Sequence, residues 1–170
     1  MGESVVRAVA EARGLAGRAS PAAPPWPLEY AVVYAETTAG LVLALRPPFA
    51  AVGERGVQLP VTLVSLGESP FTAARRALLE QTGHESDCWQ PLGELPAPAA
   101  PSGSRAHLFR VWRAHPTAEI WTDGLTVPEV VPLSLLELTA DVNPRSRAWF
   151  DLATVLTFAN PQSWRTHAPQ

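Results

Sequence analysis

The residues of this chain that could do chemistry are its histidines, its cysteine, its tryptophans and a set of acids, and their spacing removes several kinds of chemistry at once. His84, His107, His115 and His167 are spread over 84 residues with no ligand spacing, so a zinc site is not expected. Cys88 is the single cysteine. It can neither close an intrachain disulfide nor contribute to a cysteine cage, which suits a reducing compartment, and it reads as a small, half-buried apolar residue. His84 follows a helix stop and reads as a solvated turn histidine. His107, on a strand, either lines a pocket or sits in the core or at an edge with a backbone partner. His115 and His167 read as surface residues. Among Trp26, Trp89, Trp112, Trp121, Trp149 and Trp164 one could stack on a nucleobase, although core packing is the ordinary role of each. There remains the stretch GESPFTAARRALLEQTGHES from Gly67, where Arg76 and Glu80 stand at i and i+4, near enough for an ion pair on a helix surface.

Thirteen basic residues, all arginine, against sixteen acidic ones leave a formal charge of −3, so no basic field exists to hold a nucleic-acid backbone. With 46% hydrophobic and 17% charged residues in 170, the expectation is one domain with an ordinary core. The 18 prolines and the absence of lysine look like a genomic bias and carry little functional weight. No run is long and apolar enough to span a membrane, and the start lacks a basic segment followed by an apolar one. A soluble, cytoplasmic protein is the expectation.

These residues must be positioned by elements that the pattern suggests. Residues 1–27 read as a marginal helix, with Val5, Val9, Ala12 and Ala16 at helical spacing, followed by a proline-rich linker, SPAAPPWP. Residues 28–160 form the folded body and 161–170 a polar tail. Tyr30–Ala35 and Leu41–Leu45 predict a hairpin, and Val57–Leu66 a further strand or two. Ser69 as cap, Pro70 in the first turn and Gly83 as stop predict a helix over Pro70–Thr82, with Phe71, Ala74 and Leu78 buried and Arg75 and Gln81 wetter. Strands follow over Cys88–Leu95, Ala106–Trp112 and Val127–Leu133. Asn143-Pro144 then opens a last helix with Trp149, Leu152, Ala153 and Leu156 as its apolar stripe. Strands, a central helix, more strands and a final helix argue for an α/β sandwich on a mixed sheet.

The stretch from Gly67 resembles the Nudix box, whose pattern is Gly, five residues, Glu, seven residues, Arg-Glu-apolar, one residue, Glu-Glu, one residue, Gly-apolar. Glu68, Arg76, Leu78, Glu80 and Gly83 fix the register. Downstream, LGELPAPAAPSGSRAHLFRVW is similar to the ADP-ribose pyrophosphatase branch, where a proline-containing loop leads into a strand carrying His and Phe. The resemblance implies a Nudix-type alpha/beta/alpha sandwich. It also implies a loop-helix-loop unit that holds magnesium against a diphosphate while a metal-activated water attacks phosphorus. Glu68 and Arg76 occupy the positions of a salt bridge tying loop to helix. Of the three helix positions where the family places metal-binding carboxylates, Ala77, Glu80 and Gln81, only Glu80 is acidic, so it is the expected catalytic and metal residue. Val61-Thr62 stands in place of a glycine pair whose backbone ligates metal. Weak or absent magnesium is therefore implied.

Two functions compete. In one, the protein is a pseudo-enzyme with a depleted metal site, binding a nucleoside-diphosphate-type small molecule or a protein partner with weak or lost hydrolysis. In the other, it is an active magnesium-dependent hydrolase of a nucleoside diphosphate linked to another moiety, completed by acids outside the box: Glu85, Asp87, Glu119, Asp123, Glu129 or Glu137. A homodimer through residues 1–27 is also expected, by resemblance to that branch.

Overall fold

The structure is a computed structural model and describes residues 27–46, 56–97, 100–118, 129–142 and 144–159. The marginal N-terminal helix, Trp26, Trp121, Trp164 and the polar tail lie outside the described residues.

Strands β1 (Glu29–Thr37) and β2 (Val42–Arg46) pair antiparallel, with Glu36 opposite Val42. Their turn is closed by the Gly40 N–H donating to the Thr37 carbonyl at 3.0 Å. The segment expected to be strand from Val57 to Leu66 is strand only at β3 (Val61–Leu63), while Val57 and Gln58 make isolated bridges. Pro60, which has no N–H to give a ladder, separates the two pieces. Helix α1 (Pro70–Thr82) is bounded by local chemistry. The Ser69 hydroxyl accepts the Thr72 N–H, and Gly83, at φ 69°, stops the helix in the left-handed region with its N–H donating to Leu79.

The short β4 (His84–Glu85) and the longer β5 (Cys88–Pro96) precede β6 (Arg105–Pro116). Both pair antiparallel with β6, which itself lies parallel to β1 from Glu29–Arg105 onward. That parallel ladder breaks register between Ala35 and Thr37, where Arg113, at φ 60°, takes up an extra residue in β6. Strand β7 (Glu129–Leu133) pairs with β2. Among the described residues the result is a mixed seven-stranded sheet, ordered β4-β6-β1-β2-β7, with β3 beside β1 and β5 beside β6.

Two helices close the fold. Helix α2 (Leu135–Asp141) was not expected, although its Ser134–Glu137 capping box is visible in the sequence: Ser134 Oγ accepts the Glu137 N–H, and Glu137 accepts the Ser134 N–H. Helix α3 (Pro144–Ala159) buries Ser146, Trp149, Phe150 and Ala153. Phe150 thus takes a core place not assigned to it, Leu152 is half-buried, and the Leu156 side chain lies outside the described part.

Side-chain alternation along β1 separates two cores. Ala31, Val33 and Ala35 face α1 and pack with Ala73, Ala74, Ala77 and Leu78. Val32 and Tyr34 face the other way, onto Leu138, Trp149 and Phe150 of α2 and α3. The expected stripe on α1 is partly corrected: Ala74 and Leu78 are buried, but Phe71 is 42% exposed and Ala73 and Ala77 are fully buried. Three alanines at consecutive and i+4 positions face Ala31 and Ala35, and side chains this small let the helix lie close to the sheet. The architecture is an α/β sandwich with helices on both faces of a mixed sheet. Among the described residues no helix is long and apolar enough to cross a membrane.

Candidate functional site

The loop entering α1 and the helix itself are tied by Glu68 and Arg76. Arg76 Nε donates to Glu68 Oε1 at 3.0 Å and its Nη2 to Glu68 Oε2 at 2.9 Å, the two-pronged geometry that a planar guanidinium gives a carboxylate. Arg76 also reaches β3, donating to the Leu63 carbonyl at 3.0 Å and to Thr62 Oγ1 at 3.3 Å. Glu68 Oε2 accepts the Ser65 N–H at 3.0 Å, which fixes the turn before the helix. Arg76's hydrogen bonds, helped by that N–H and opposed by burial, hold the Glu68 carboxyl down to about 2 from an ordinary 4.5.

One turn further along α1 the three positions to which the resemblance assigns metal-binding carboxylates are disposed differently from one another. Ala77 is fully buried in the core on the α1 face and faces no cleft. Glu80 is nearly half-exposed and lies 3.6 Å from Arg76, so the i, i+4 ion pair is formed. Gln81 turns its carboxamide onto β3: Oε1 accepts the Val61 N–H at 3.2 Å, and Nε2 donates to the Val61 carbonyl at 2.8 Å. Glu68, Arg76 and Glu80 are therefore brought together, with Arg76 between the two acids. Gln81 was expected to be a wetter residue and is instead bonded to the sheet.

Magnesium needs near-octahedral oxygen ligation. On this face of α1 the only carboxylate is Glu80, already beside a guanidinium, and the nearby Val61 carbonyl receives the Gln81 amide. Of these three positions, one supplies a carboxylate toward such a shell. Among the described residues no group of three or more His, Cys, Asp or Glu side chains is placed to hold a metal. Of the outside acids, Glu129 pairs with Arg46 at 3.2 Å, and Glu137 is taken up in the α2 cap. Glu85 and Asp87 are exposed, and Glu119 and Asp123 lie outside the described residues.

Other chemistry-bearing residues make none of the bonds of this knot. His84 is not a solvated turn residue: it is half-buried in β4, its Nδ1 2.7 Å from the Thr82 carbonyl. His107 has carboxylates beside it where a backbone partner was one expectation, with Glu29 and Glu94 each at 3.5 Å. Cys88 is half-buried. Trp89 packs edge-on against Phe71 and Phe109, with centroids 5.4 and 6.4 Å away, and gives its N–H to the Ser86 carbonyl. A cluster that the sequence did not suggest sits toward the far ends of β1 and β6. Arg110 Nη2 donates to both Glu36 oxygens, at 3.3 and 3.1 Å, and its guanidinium lies 5.7 Å from the Trp112 ring centre. Burial beside this pair pushes the Tyr34 hydroxyl up to about 12. Alternation along a strand places Arg110 and Trp112 on one face of β6, but nothing local points to Glu36, which is 74 residues away in sequence.

No family model and no curated protein matches the sequence. Solved structures do. The chain is similar to an ADP compounds hydrolase, with a TM-score of 0.63 and 21% identity over 80% of this chain and 76% of that one. It is also similar to a protein described as a Nudix hydrolase family member from Chromobacterium violaceum, with a TM-score of 0.56 and 16% identity over 79% of this chain and 81% of the other. At these identities the likeness is one of fold, and the fold is the Nudix-type α/β sandwich that the box-like stretch implied.

Proposed function

We propose that this protein is a Nudix-fold binding protein, related in shape to enzymes that act on ADP compounds, whose diphosphate hydrolysis is weak or lost. The observation that carries the reading is the bonded state of Gln81. Where hydrolysis would need a carboxylate aimed at a cation, the side chain is neutral and both its polar ends are used on Val61. Ala77 adds no charge, and Glu80 is beside Arg76. Each electrostatic contact missing at a phosphoryl-transfer transition state slows the reaction on the order of a hundredfold or more. The ligand favoured by this reading is a nucleoside-diphosphate-type small molecule or a protein partner, with cytoplasmic localisation and pairing of two chains through residues 1–27 as further parts of the proposal.

The test is incubation with a panel of nucleoside diphosphate compounds, ADP-ribose among them, with magnesium or manganese, following products by chromatography and binding by calorimetry. Binding without appreciable turnover is expected. Brisk metal-dependent cleavage of ADP-ribose would overturn the reading in favour of an active hydrolase that draws acids from outside the box.

A further inference from the structure

Strand β3 has one edge on β1 and one edge free of any strand among the described residues. On the paired edge the Val33 N–H donates to the Pro60 carbonyl, and the Val64 N–H donates to the Glu29 carbonyl, each at 2.9 Å. Since backbone groups alternate along a strand, those of Val61 and Leu63 point the other way. Side chains of α1 meet them there. Arg76 takes the Leu63 carbonyl at 3.0 Å, and the Gln81 carboxamide takes both the N–H and the carbonyl of Val61. A primary amide carries the same donor and acceptor pair as a peptide unit, so Gln81 supplies one rung of a strand that is not there.

We propose that Gln81 is a positioning residue that fastens α1 to the free edge of β3, filling the place at the Val61 carbonyl that a cation would otherwise fill, so that the junction of α1 with β3 assembles without metal. This deepens the functional reading above and rests on it for the role of that junction. The two side chains differ at one contact. A carboxylate at position 81 can accept the Val61 N–H with one oxygen, but its other oxygen then faces the Val61 carbonyl, acceptor against acceptor, and needs a cation between them. A carboxamide donates its own N–H at that point, so the Val61 carbonyl has a neutral donor on that side and the contact needs no cation. Gln81 with no metal and a glutamate with metal are two solutions to one bonding problem, and this chain has the first.

The test compares the full-length wild type, Gln81→Glu and Gln81→Leu in thermal unfolding, with chelator or with excess manganese or magnesium alone. Wild-type unfolding should be unmoved by either metal. In chelator, Gln81→Glu should melt about 4–8 °C lower, the scale of two neutral hydrogen bonds in a chain of this size, and regain much of that loss with manganese. Gln81→Leu should melt as low and regain nothing. Amide exchange supplies a second measurement on the wild type: the Val61 N–H, which has no strand partner on its side, should be protected because Gln81 covers it. The proposal is overturned if Gln81→Glu melts with the wild type in chelator or if manganese rescues Gln81→Leu equally. A freely exchanging Val61 amide overturns it even where a variant does not fold. Rapid ADP-ribose cleavage by the wild type would instead overturn the functional reading and leave these melting results standing.

Discussion

Replacing Glu68 by glutamine tests the energetics of the loop-to-helix knot and has a sign that can be worked out. The Glu68 carboxyl is held at about 2 in the fold against an ordinary 4.5. At about 1.4 kcal/mol per unit, that gap sets an upper bound of roughly 3.4 kcal/mol on what ionised Glu68 contributes at neutral pH. Water reaches the pair, since the Glu68 and Arg76 side chains are 13% and 25% exposed. Screening therefore brings the figure to about 1.5–2 kcal/mol, with glutamine still able to accept one bond from Arg76. For a domain of this size that is a fall of roughly 3–8 °C in Tm at pH 7. Because the folded pKa is the lower one, the stabilisation is fully present above about pH 4.5 and is lost as pH falls toward 2. Paired thermal melts of wild type and Glu68→Gln, from pH 7 down to pH 3, should thus show a gap that narrows below pH 4.5. A gap that stays constant through that range, or no gap at pH 7, would refute the account of the knot as an ion pair.

Three further outcomes are expected. Arg113→Gly should raise Tm by about 1–4 °C, because an exposed non-glycine residue at φ 60° carries left-handed strain of roughly 1 kcal/mol that glycine relieves in part. An unchanged or lower Tm would mean that the bulge is not strained. Ala77→Glu should lower stability by at least about 3 kcal/mol in urea titration, since the side chain would enter a packed core with no charged partner; a small effect would show that the helix can roll to expose position 77. Light scattering on the full chain and on a chain beginning at Leu28 should give a lower molar mass for the shorter one beyond the deleted residues, and an unchanged assembly state would remove residues 1–27 from any dimer contact.

What the sequence disclosed was whatever depends on neighbours in the chain. Ser69, Pro70 and Gly83 mark both ends of α1 because capping is decided within a turn, and the β1–β2 hairpin is legible for the same reason. The Ser134–Glu137 box of α2 is an equally local signal, set in a short segment between a strand pattern and Asn143-Pro144. By contrast, the role of Gln81 depends on Val61, twenty positions away, and its own residue type suggested only a wet surface. His107 and Arg110 are of the same kind. Strand alternation gave their faces, but the carboxylates beside them come from β1 and β5, which only the parallel pairing of β1 with β6 and the antiparallel pairing of β5 bring alongside. The Glu68–Arg76 pair lies between these cases, implied by the resemblance to the Nudix box and placed by the geometry of the loop.

The parallel pairing of β1 with β6 also sets an order in which the chain can acquire its fold. The first rung joins Glu29 to Arg105, so the centre of the sheet closes a loop of about 75 residues, at an entropic cost of roughly 4 kcal/mol before constants. The β1–β2 hairpin and α1 can form as their residues emerge during synthesis, but the α1-facing layer lacks Phe109 and Val111 until β6 has been made. At about 5–20 residues per second, the interval between β1 and β6 lasts several seconds, and through it the apolar edge of β1 stays uncovered. Chaperone dependence and aggregation during expression should accordingly respond to changes in β6 more than to changes in α1, whose main partners, β1 and β3, precede it in the chain.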